Sequence, residues 1–529
     1  MRWEAVGTGN GGATDLTVED AGSGLQLFVA YDQAVRFWTG TYWALSGGQG
    51  FDNQVYCVGA YDSPGSPGPT LYAGGNFEHT SQSQNQVHSI AKLVNNAWVS
   101  VGSGLPAVTG DVYALTVFDD GAGPKLFVAG SFATSASSGL NSNGIVRWDG
   151  TTWTGVGGGL TAFGPYPPGV SKMCVFDDGT GPALFVVGGF SLAGGTVANS
   201  IAKWNGSNWA ALGSGLSFQG GSTGASGLAV FDDGAGPQLY VAGSFDQAGG
   251  VAANGVARWN GSGWSALPGT QLNPFSFARS LIVHDDGFGP ALYLGFTTAF
   301  LGSSLIHGVA RWDGQAWTAL GGGYHSTVWG LASFDDGLGG GAALWACSTP
   351  PGIIGGNLPA ENVARWYGGC VHRIDSMCFG DGTFAPCPCA NYGASEHGCS
   401  NSASSQGAHL TSTGTLSPDT LVLQSAFEPA TSPSLFLQAS SLAPVQAAFG
   451  DGILCLGGQI LRMYVKTASG GVAQAPAPTD PSITQRSSAL GDPLAPGSVR
   501  LYQVFYRDPA SGWCAPNTFN LSNGLRVVW

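Results

Sequence analysis

Short runs in which apolar and polar residues alternate, each closed by a glycine-rich turn, fill the first 370 residues of the chain. Tyr113-Ala114-Leu115-Thr116-Val117-Phe118 is one such run, and Leu126-Phe127-Val128-Ala129-Gly130 follows it after Asp119-Asp120-Gly121. A period of two over four to eight residues predicts β-strands buried on one face. In the clearest copy a third run ends at Ala257-Arg258-Trp259 and a fourth starts at Trp264. Between them Asn260-Gly261 supplies the left-handed backbone that a tight hairpin needs, as do Asp149-Gly150, Asn205-Gly206 and Asp313-Gly314 elsewhere.

The whole four-strand pattern repeats. Asp-Asp-Gly returns at Asp119, Asp177, Asp232, Asp285 and Asp335, a period of 50 to 58 residues. Weaker copies at Glu19-Asp20-Ala21-Gly22 and Tyr61-Asp62-Ser63-Pro64 bring the number of repeats to seven. Four antiparallel strands per repeat of this length predict a β-propeller blade. A solenoid of hairpins is the rival, but it needs polar end caps that are not found in the sequence.

The two ends of the array fit together. A strand-three residue is followed by a Trp at Trp38/Trp43, Val94/Trp98 (one residue shorter), Trp148/Trp153, Trp204/Trp209, Trp259/Trp264 and Trp312/Trp317. The seventh repeat has Trp366 but no second Trp. Trp3-Glu4-Ala5-Val6-Gly7-Thr8-Gly9 matches Trp153–Gly159 and Trp209–Gly215. Trp3, Val6 and Gly7 are therefore expected to lie on a strand that closes the ring from the N-terminus, removing two exposed sheet edges. The recurring Trp pairs read as packing between blades, in preference to a sugar-binding surface.

From about Ser376 the repeat gives way to a cysteine-rich segment with alternating runs at 420–423, 435–437, 460–465, 499–506 and 525–529. The expectation is all-β throughout: a seven-bladed propeller over residues 1–370 closed by the N-terminal strand, then an antiparallel β-sandwich over 371–529.

Composition narrows the function. A formal charge of −14 disfavours nucleic acid and anionic membrane surfaces. No apolar stretch is long enough to span a bilayer. Met1-Arg2-Trp3 opens directly on repeat-like sequence, with no signal peptide. Six of the ten cysteines lie between Cys378 and Cys514, so the chain reads as the mature or trimmed form of an exported protein.

The repeat Phe-Asp-Asp-Gly-x-Gly-Pro-x-Leu-Tyr-Val-Ala-Gly-x-Phe, then Ala-Gly-Gly, then Ala-Arg-Trp-Asn-Gly-x-x-Trp, resembles those of secreted proteins of planctomycete-type bacteria. The tail resembles the C-terminal domain of that group through Cys378-Phe379-Gly380-Asp381-Gly382, Cys387-Pro388-Cys389, Gly398-Cys399-Ser400-Asn401-Ser402 and Thr518-Phe519-Asn520-Leu521-Ser522-Asn523-Gly524. The resemblance covers nearly the whole chain and implies export and an extracellular or cell-surface setting, without implying an activity. Kelch-type propellers are a looser relative, through Gly194-Gly195 and Gly249-Gly250.

Candidate chemistry is sparse. The Asp-Asp-Gly loops offer carboxylates to Ca²⁺ but lack alternating Asp-x-Asp-x-Asp-Gly ligands, and a turn role is preferred. Cys387, Cys389, His397 and Cys399, with Cys378 as a further candidate, could be zinc ligands. Three disulfides among Cys378, Cys387, Cys389, Cys399, Cys455 and Cys514 are the preferred reading, with fifteen connectivities open. Cys347 and Cys370 are candidates for a further pair in repeat seven. Cys57 and Cys174, at positions equivalent to Ala114 and Thr116, read as small buried thiols. His284 replaces the Phe of the repeat, and Lys203, Arg258, Arg311 and Arg365 recur with it and are assigned to blade packing. No nucleophile motif, Walker loop or dinucleotide fingerprint appears.

The leading expectation is an extracellular or cell-surface interaction or structural protein, without catalytic activity or cofactor. Its partners would be other subunits, with a homo-oligomer or filament possible, or extracellular glycans. A carbohydrate-binding lectin is the alternative, and a polysaccharide-active enzyme with a site in the propeller channel is the third reading.

Overall fold

The computed structural model describes all residues except 1, 7–11, 23, 41, 82–84, 103, 106–107, 135–138, 165–166, 220–222, 268–277, 287–288, 302–303, 321–322, 337–341, 350–351, 355–357, 361, 368–373, 383–385, 417–418, 496–497 and 511–517. The expected positions Gly7, Cys370 and Cys514 lie outside the described residues. The chain is all-β apart from one α-helix, Ile483–Ala489, and one 3-10 turn among the described residues. Residues 2–334 and 342–368 form one compact body; most of the second is residues 369–529.

Among the described residues the N-terminal body contains five four-stranded antiparallel sheets and one eight-stranded sheet, beside smaller sheets of two or three short strands. The eight-stranded sheet is two four-stranded runs, repeats three and four, joined by one residue pair, Ser131 with Gly169. In repeat five the order is Gly224–Asp232, Pro237–Ser244, Val256–Trp259, Trp264–Ala266, each strand paired with the next. First strands pack beside first strands in chain order, and that of repeat seven (Val328–Phe334) packs beside that of repeat one (Ala13–Asp20). In repeat seven the outermost strand is Arg2–Ala5, running antiparallel to Val363–Tyr367 with Trp3 opposite Trp366. Trp3 and Val6 are both buried.

The Trp pairs are consumed by packing. Trp148 faces Trp153, Trp204 faces Trp209, Trp259 faces Trp264 and Trp312 faces Trp317 across their hairpins. In repeat two the partner of Trp98 is Leu93, not Val94, so the five-residue spacing is kept there too. Every fourth-strand indole except that of Trp317, whose Nε1 has no partner among the described residues, also reaches the preceding repeat. Trp43 Nε1 donates to Val6 O, Trp98 to Ser46 O, Trp153 to Val101 O, Trp209 to Val156 O and Trp264 to Leu212 O, at 2.8–3.3 Å. The acceptor always lies three residues past the previous repeat's own fourth-strand Trp. Trp3 continues the series by donating to Leu320 O.

The Asp-Asp-Gly loops divide their work. The Oδ1 of the first Asp accepts the backbone N–H groups two and four residues on, as Asp232 does from Gly234 and Gly236. The second Asp pairs with the basic residue before the strand-three Trp: Asp120 with Arg147, Asp178 with Lys203 (2.7 Å), Asp233 with Arg258 and Asp286 with Arg311 (3.1 Å). The basic residues thus hold a loop of their own sheet. In repeat seven Arg365 meets Glu4 of the N-terminal strand at 3.1 Å. Neighbouring sheets come close at these loops, since a Cβ at Gly261 would stand 2.1 Å from Asp178 O.

In the C-terminal body a five-stranded sheet holds Ile374–Met377, Phe519–Val528, Val499–Arg507, Pro433–Phe449 and Gly452–Thr467 in that order. A three-stranded sheet holds His409–Thr413, Val422–Ala426 and Ala473–Ala475. Leu410, Leu423 and Ala475 of the smaller sheet share one core with Phe436, Met463, Tyr502 and Val527 of the larger. Cys378 is bonded to Cys455 and Cys387 to Cys399, with Cα separations of 6.2 and 5.9 Å, inside the usual range for a bridge. Cys389 is also in a disulfide.

Cys347 corrects an expectation. It is a free, fully buried thiol on Ala343–Ser348, opposite Gly330 in the ladder. This is the small buried second-strand position held by Ala129 and Ala242 in other repeats. Cys57 is free and buried as expected, and Cys174 is free and half-buried.

Candidate functional site

The first strands of the seven repeats run side by side, so one residue from each stands at the same level. Five positions before the first acidic turn residue, these are Asp15, Cys57, Ala114, Lys172, Gly227, Ser280 and Gly330. Five are small, and space between adjacent strands is tight: a Cβ at Gly330 would stand 2.8 Å from Leu16 N, and one at Gly227 would stand 3.0 Å from Leu281 Cβ. The two large members meet each other. Lys172 Nζ lies 3.1 Å from Asp15 Oδ1, joining repeat four to repeat one.

Six of the seven strands carry a ladder irregularity at this point, between Ala13 and Asp15, Val55 and Cys57, Val112 and Ala114, Val170 and Lys172, Ala225 and Gly227, and Val328 and Gly330. An extra residue in one strand re-aims its neighbours. Here it sets Asp15 and Lys172 toward one cavity of about 100 Å³, lined also by Thr17, Glu19, Cys57 and Thr116.

Asp15 is buried while Lys172 keeps 37% of its side chain exposed. The Asp15 carboxylate raises the Lys172 ammonium above its ordinary range, so the amine stays charged. Burial pushes the Asp15 and Glu19 carboxyls up, against the pull of Lys172 on Asp15 and of Thr17 on Glu19. Burial likewise pushes the Cys57 and Cys347 thiols up, away from the thiolate that nucleophilic chemistry requires. A charged, internally paired amine is a poor base. The cluster can therefore fix geometry and present polar edges.

A serine–histidine contact elsewhere has the same outcome. His284 Nδ1 lies 2.8 Å from Ser333 Oγ, but burial lowers its imidazole to about 4. Its Nε2 has no partner among the described residues, so no carboxylate orients the ring as a triad requires. The ring stacks edge-on to Tyr293, as Phe231 does to Tyr240. It is a core residue in the Phe position.

The zinc candidates are spoken for as well: Cys378, Cys387, Cys389 and Cys399 are in disulfides, and His397 stacks on His409 at 4.3 Å. Asp15 and Lys172 are not among the residues singled out from the sequence. Only a column aligned across all seven first strands sets one carboxylate and one amine among small residues.

No family model matches the chain, and no curated protein matches it. Among solved structures it is similar to the extracellular domain of a B. thetaiotaomicron protein described as a hybrid two-component system, with 9% identity and a TM-score of 0.41. That match covers 81% of this chain and 46% of the other, so the chain spans under half the length of that relative. A second such B. thetaiotaomicron extracellular domain gives 10% identity and a TM-score of 0.27, covering 98% of this chain and 72% of that one. The Bacteroides ovatus xyloglucan PUL GH43B gives 10% identity and a TM-score of 0.23 over 99% of this chain and 96% of that one. Likenesses of this size assign neither fold nor activity.

Proposed function

We propose that the N-terminal body is a closed seven-bladed β-propeller, completed by its own N-terminal strand, and that the protein is an exported binding or scaffolding module without catalytic activity. The cycle of first-strand contacts, with Trp3 seated opposite Trp366, carries the architectural part. The repeat resemblance to secreted proteins of planctomycete-type bacteria is part of the same proposal. Two disulfides in the C-terminal body favour an oxidising compartment. No helix among the described residues is long and apolar enough to cross a membrane.

The non-catalytic part rests on how charge is used. The recurring carboxylates cap turns or pair with Lys and Arg, and the central Asp15–Lys172 pair is self-satisfied. Function in such a scaffold belongs to residues outside the repeat. Partners are other subunits or extracellular glycans, and an oligomer or filament is compatible with both.

Assays of purified protein on polysaccharides, esters and alcohols are expected to show no turnover, and fractionation of the producing cells is expected to place it outside the cytoplasm. Turnover abolished by a substitution at Asp15 or Lys172 would overturn the non-catalytic reading.

A further inference from the structure

The seven repeats are regular at one end of their strands and irregular at the other. The connection from first to second strand keeps Asp-Asp-Gly in five repeats, and that from third to fourth keeps Asn-Gly or Asp-Gly in four. At the opposite end, where first strands begin, the second-to-third connection runs over residues 32–33 in repeat one and 76–89 in repeat two. The residue beside each member of the Asp15–Lys172 level stands at this variable end: Thr14, Tyr56, Tyr113, Ser171, Ser226, Arg279 and Trp329. All seven are half-buried. Nothing in the repeat dictates them, because the column holds three aromatics, one cation and three hydroxyl residues.

Two pairs of these side chains touch, and two members reach backbone carbonyls of other segments. Tyr56 and Tyr113 lie with ring centroids 5.1 Å apart, and the Tyr113 hydroxyl donates to Asp111 Oδ2 at 2.7 Å. The Arg279 guanidinium sits 4.3 Å over the Trp329 ring. Trp329 Nε1 donates to Thr349 O, whose side chain donates in turn to Ala13 O of repeat one. Thr14 Oγ1 donates to Val55 O of repeat two. One residue further along each strand, the Asp15–Lys172 pair bridges repeats one and four. The ring therefore has an aromatic and hydroxylic rim over a polar floor.

We propose that this rim is a binding site for a neutral saccharide. The inference rests on the propeller reading above and names the ligand class and residues for it. Partly exposed aromatic rings offer flat apolar faces of the kind that the C–H side of a pyranose covers, while their polar edges remain wet. Asp111, Ser171 and Ser226 supply acceptors and donors for sugar hydroxyls, and a few placed polar groups among apolar ones is the usual make-up of a ligand site. The rim's formal charges are one carboxylate and one guanidinium. With a chain charge of −14, polyanions are repelled. Fourth-strand indoles such as those of Trp209 and Trp264 are held by carbonyls of the preceding repeat, whereas Tyr56, Tyr113 and Trp329 are half-buried at the variable end.

The test is affinity electrophoresis of the full chain through gels holding soluble xylan, β-glucan, mannan or galactan, with alginate and heparin as acidic counterparts. Retardation by at least one neutral polymer is expected, with about a tenfold or larger loss of affinity in Tyr56→Ala and Trp329→Ala, the size of an aromatic anchor's contribution. Ala235→Thr, at the Asp-Asp-Gly end, is expected to bind as the parent does. Hydroxyl-radical footprinting of the unaltered protein covers the case in which a variant misfolds: the retarding polymer should shield Tyr56, Tyr113 and Trp329. Absence of retardation by any neutral polymer, binding to acidic polymers alone, or binding with the rim unshielded would overturn the proposal. Binding with an unshielded rim would leave the non-catalytic binding role standing, whereas release of reducing ends from a bound polymer would overturn that role and leave the rim in place.

Discussion

The indole nitrogen of Trp3 donates to the backbone carbonyl of Leu320 at 3.3 Å, across 317 residues of chain. It is the same bond by which Trp209 reaches Val156 and Trp264 reaches Leu212 between successive repeats. The first strand of the chain thus occupies the place of the last strand of the array. Trp3 also packs edge-on to Tyr324 and tilted against Trp366.

Truncating that anchor should be costly. Trp3→Ala removes a side chain only 2% exposed, a change of about 3–5 kcal/mol. Deleting residues 2–5 also strips Arg365 of Glu4 and leaves Val363–Tyr367 as an open edge. Thermal unfolding with an apolar dye as reporter should show an earlier transition for the N-terminal body and dye binding before it. An unchanged transition in both variants would contradict the role given to this strand.

The Asp15–Lys172 pair is half-buried, with the carboxylate covered and the amine partly wet. Lys172→Met leaves the Asp15 charge uncompensated and is expected to destabilise by about 1–3 kcal/mol, whereas Asp15→Leu with Lys172→Met should recover part of the loss. Because the folded pKa of Lys172 is raised, its contribution is full below the unfolded lysine value and disappears as pH rises through the folded one. Denaturant titrations of the parent, Asp15→Leu, Lys172→Met and the double variant between pH 7 and 11 measure both effects. Additive losses would mean the groups do not interact.

How much of this was legible follows from what repeats. The Asp-Asp-Gly turns and paired tryptophans recur because every sheet needs the same hairpins and the same seam, so strand order and the use of the N-terminus could be read from spacing. Asp15 and Lys172 occur once each, 157 residues apart, and no local pattern connects them. The pairing of the second Asp with the basic residue before Trp was visible as co-occurrence but was assigned to packing alone. Cys347 misled because two cysteines in one repeat suggest a bridge, while the ladder places it opposite Gly330 as a small core residue.

Thiol counting separates these cysteine roles. Alkylation of the native, unreduced protein should spare Cys57 and Cys347, which are buried, and denaturation without reductant should expose them together with Cys174. Cys378, Cys387, Cys389, Cys399 and Cys455 should react only after reduction. Peptide mapping that finds Cys347 in a bridge would contradict the buried-thiol assignment.

Glu428 predicts a pH response in the C-terminal body. Burial pushes its carboxyl up to about 7, although Ser425 and Ser434 pull it the other way. A raised acid favours the protonated folded state, so stability should fall as pH rises from the unfolded glutamate value to about 7. Glu428→Gln keeps the shape and removes the charge, and should stabilise this body on the order of 3 kcal/mol above pH 7 and hardly at all near pH 4. Urea melts at the two pH values measure it. A variant with the parent's pH dependence would show that Glu428 is not the group responsible.

The central claim is that the chain closes its own ring, and a cross-link tests it most directly. Glu4 lies opposite Arg365 in the antiparallel register, at a spacing a disulfide can span. Glu4→Cys with Arg365→Cys, oxidised at low protein concentration and mapped by mass spectrometry, is expected to give a single intrachain bond in a monomer. Cross-linked dimers, or two cysteines that remain free, would contradict closure by the chain's own N-terminus.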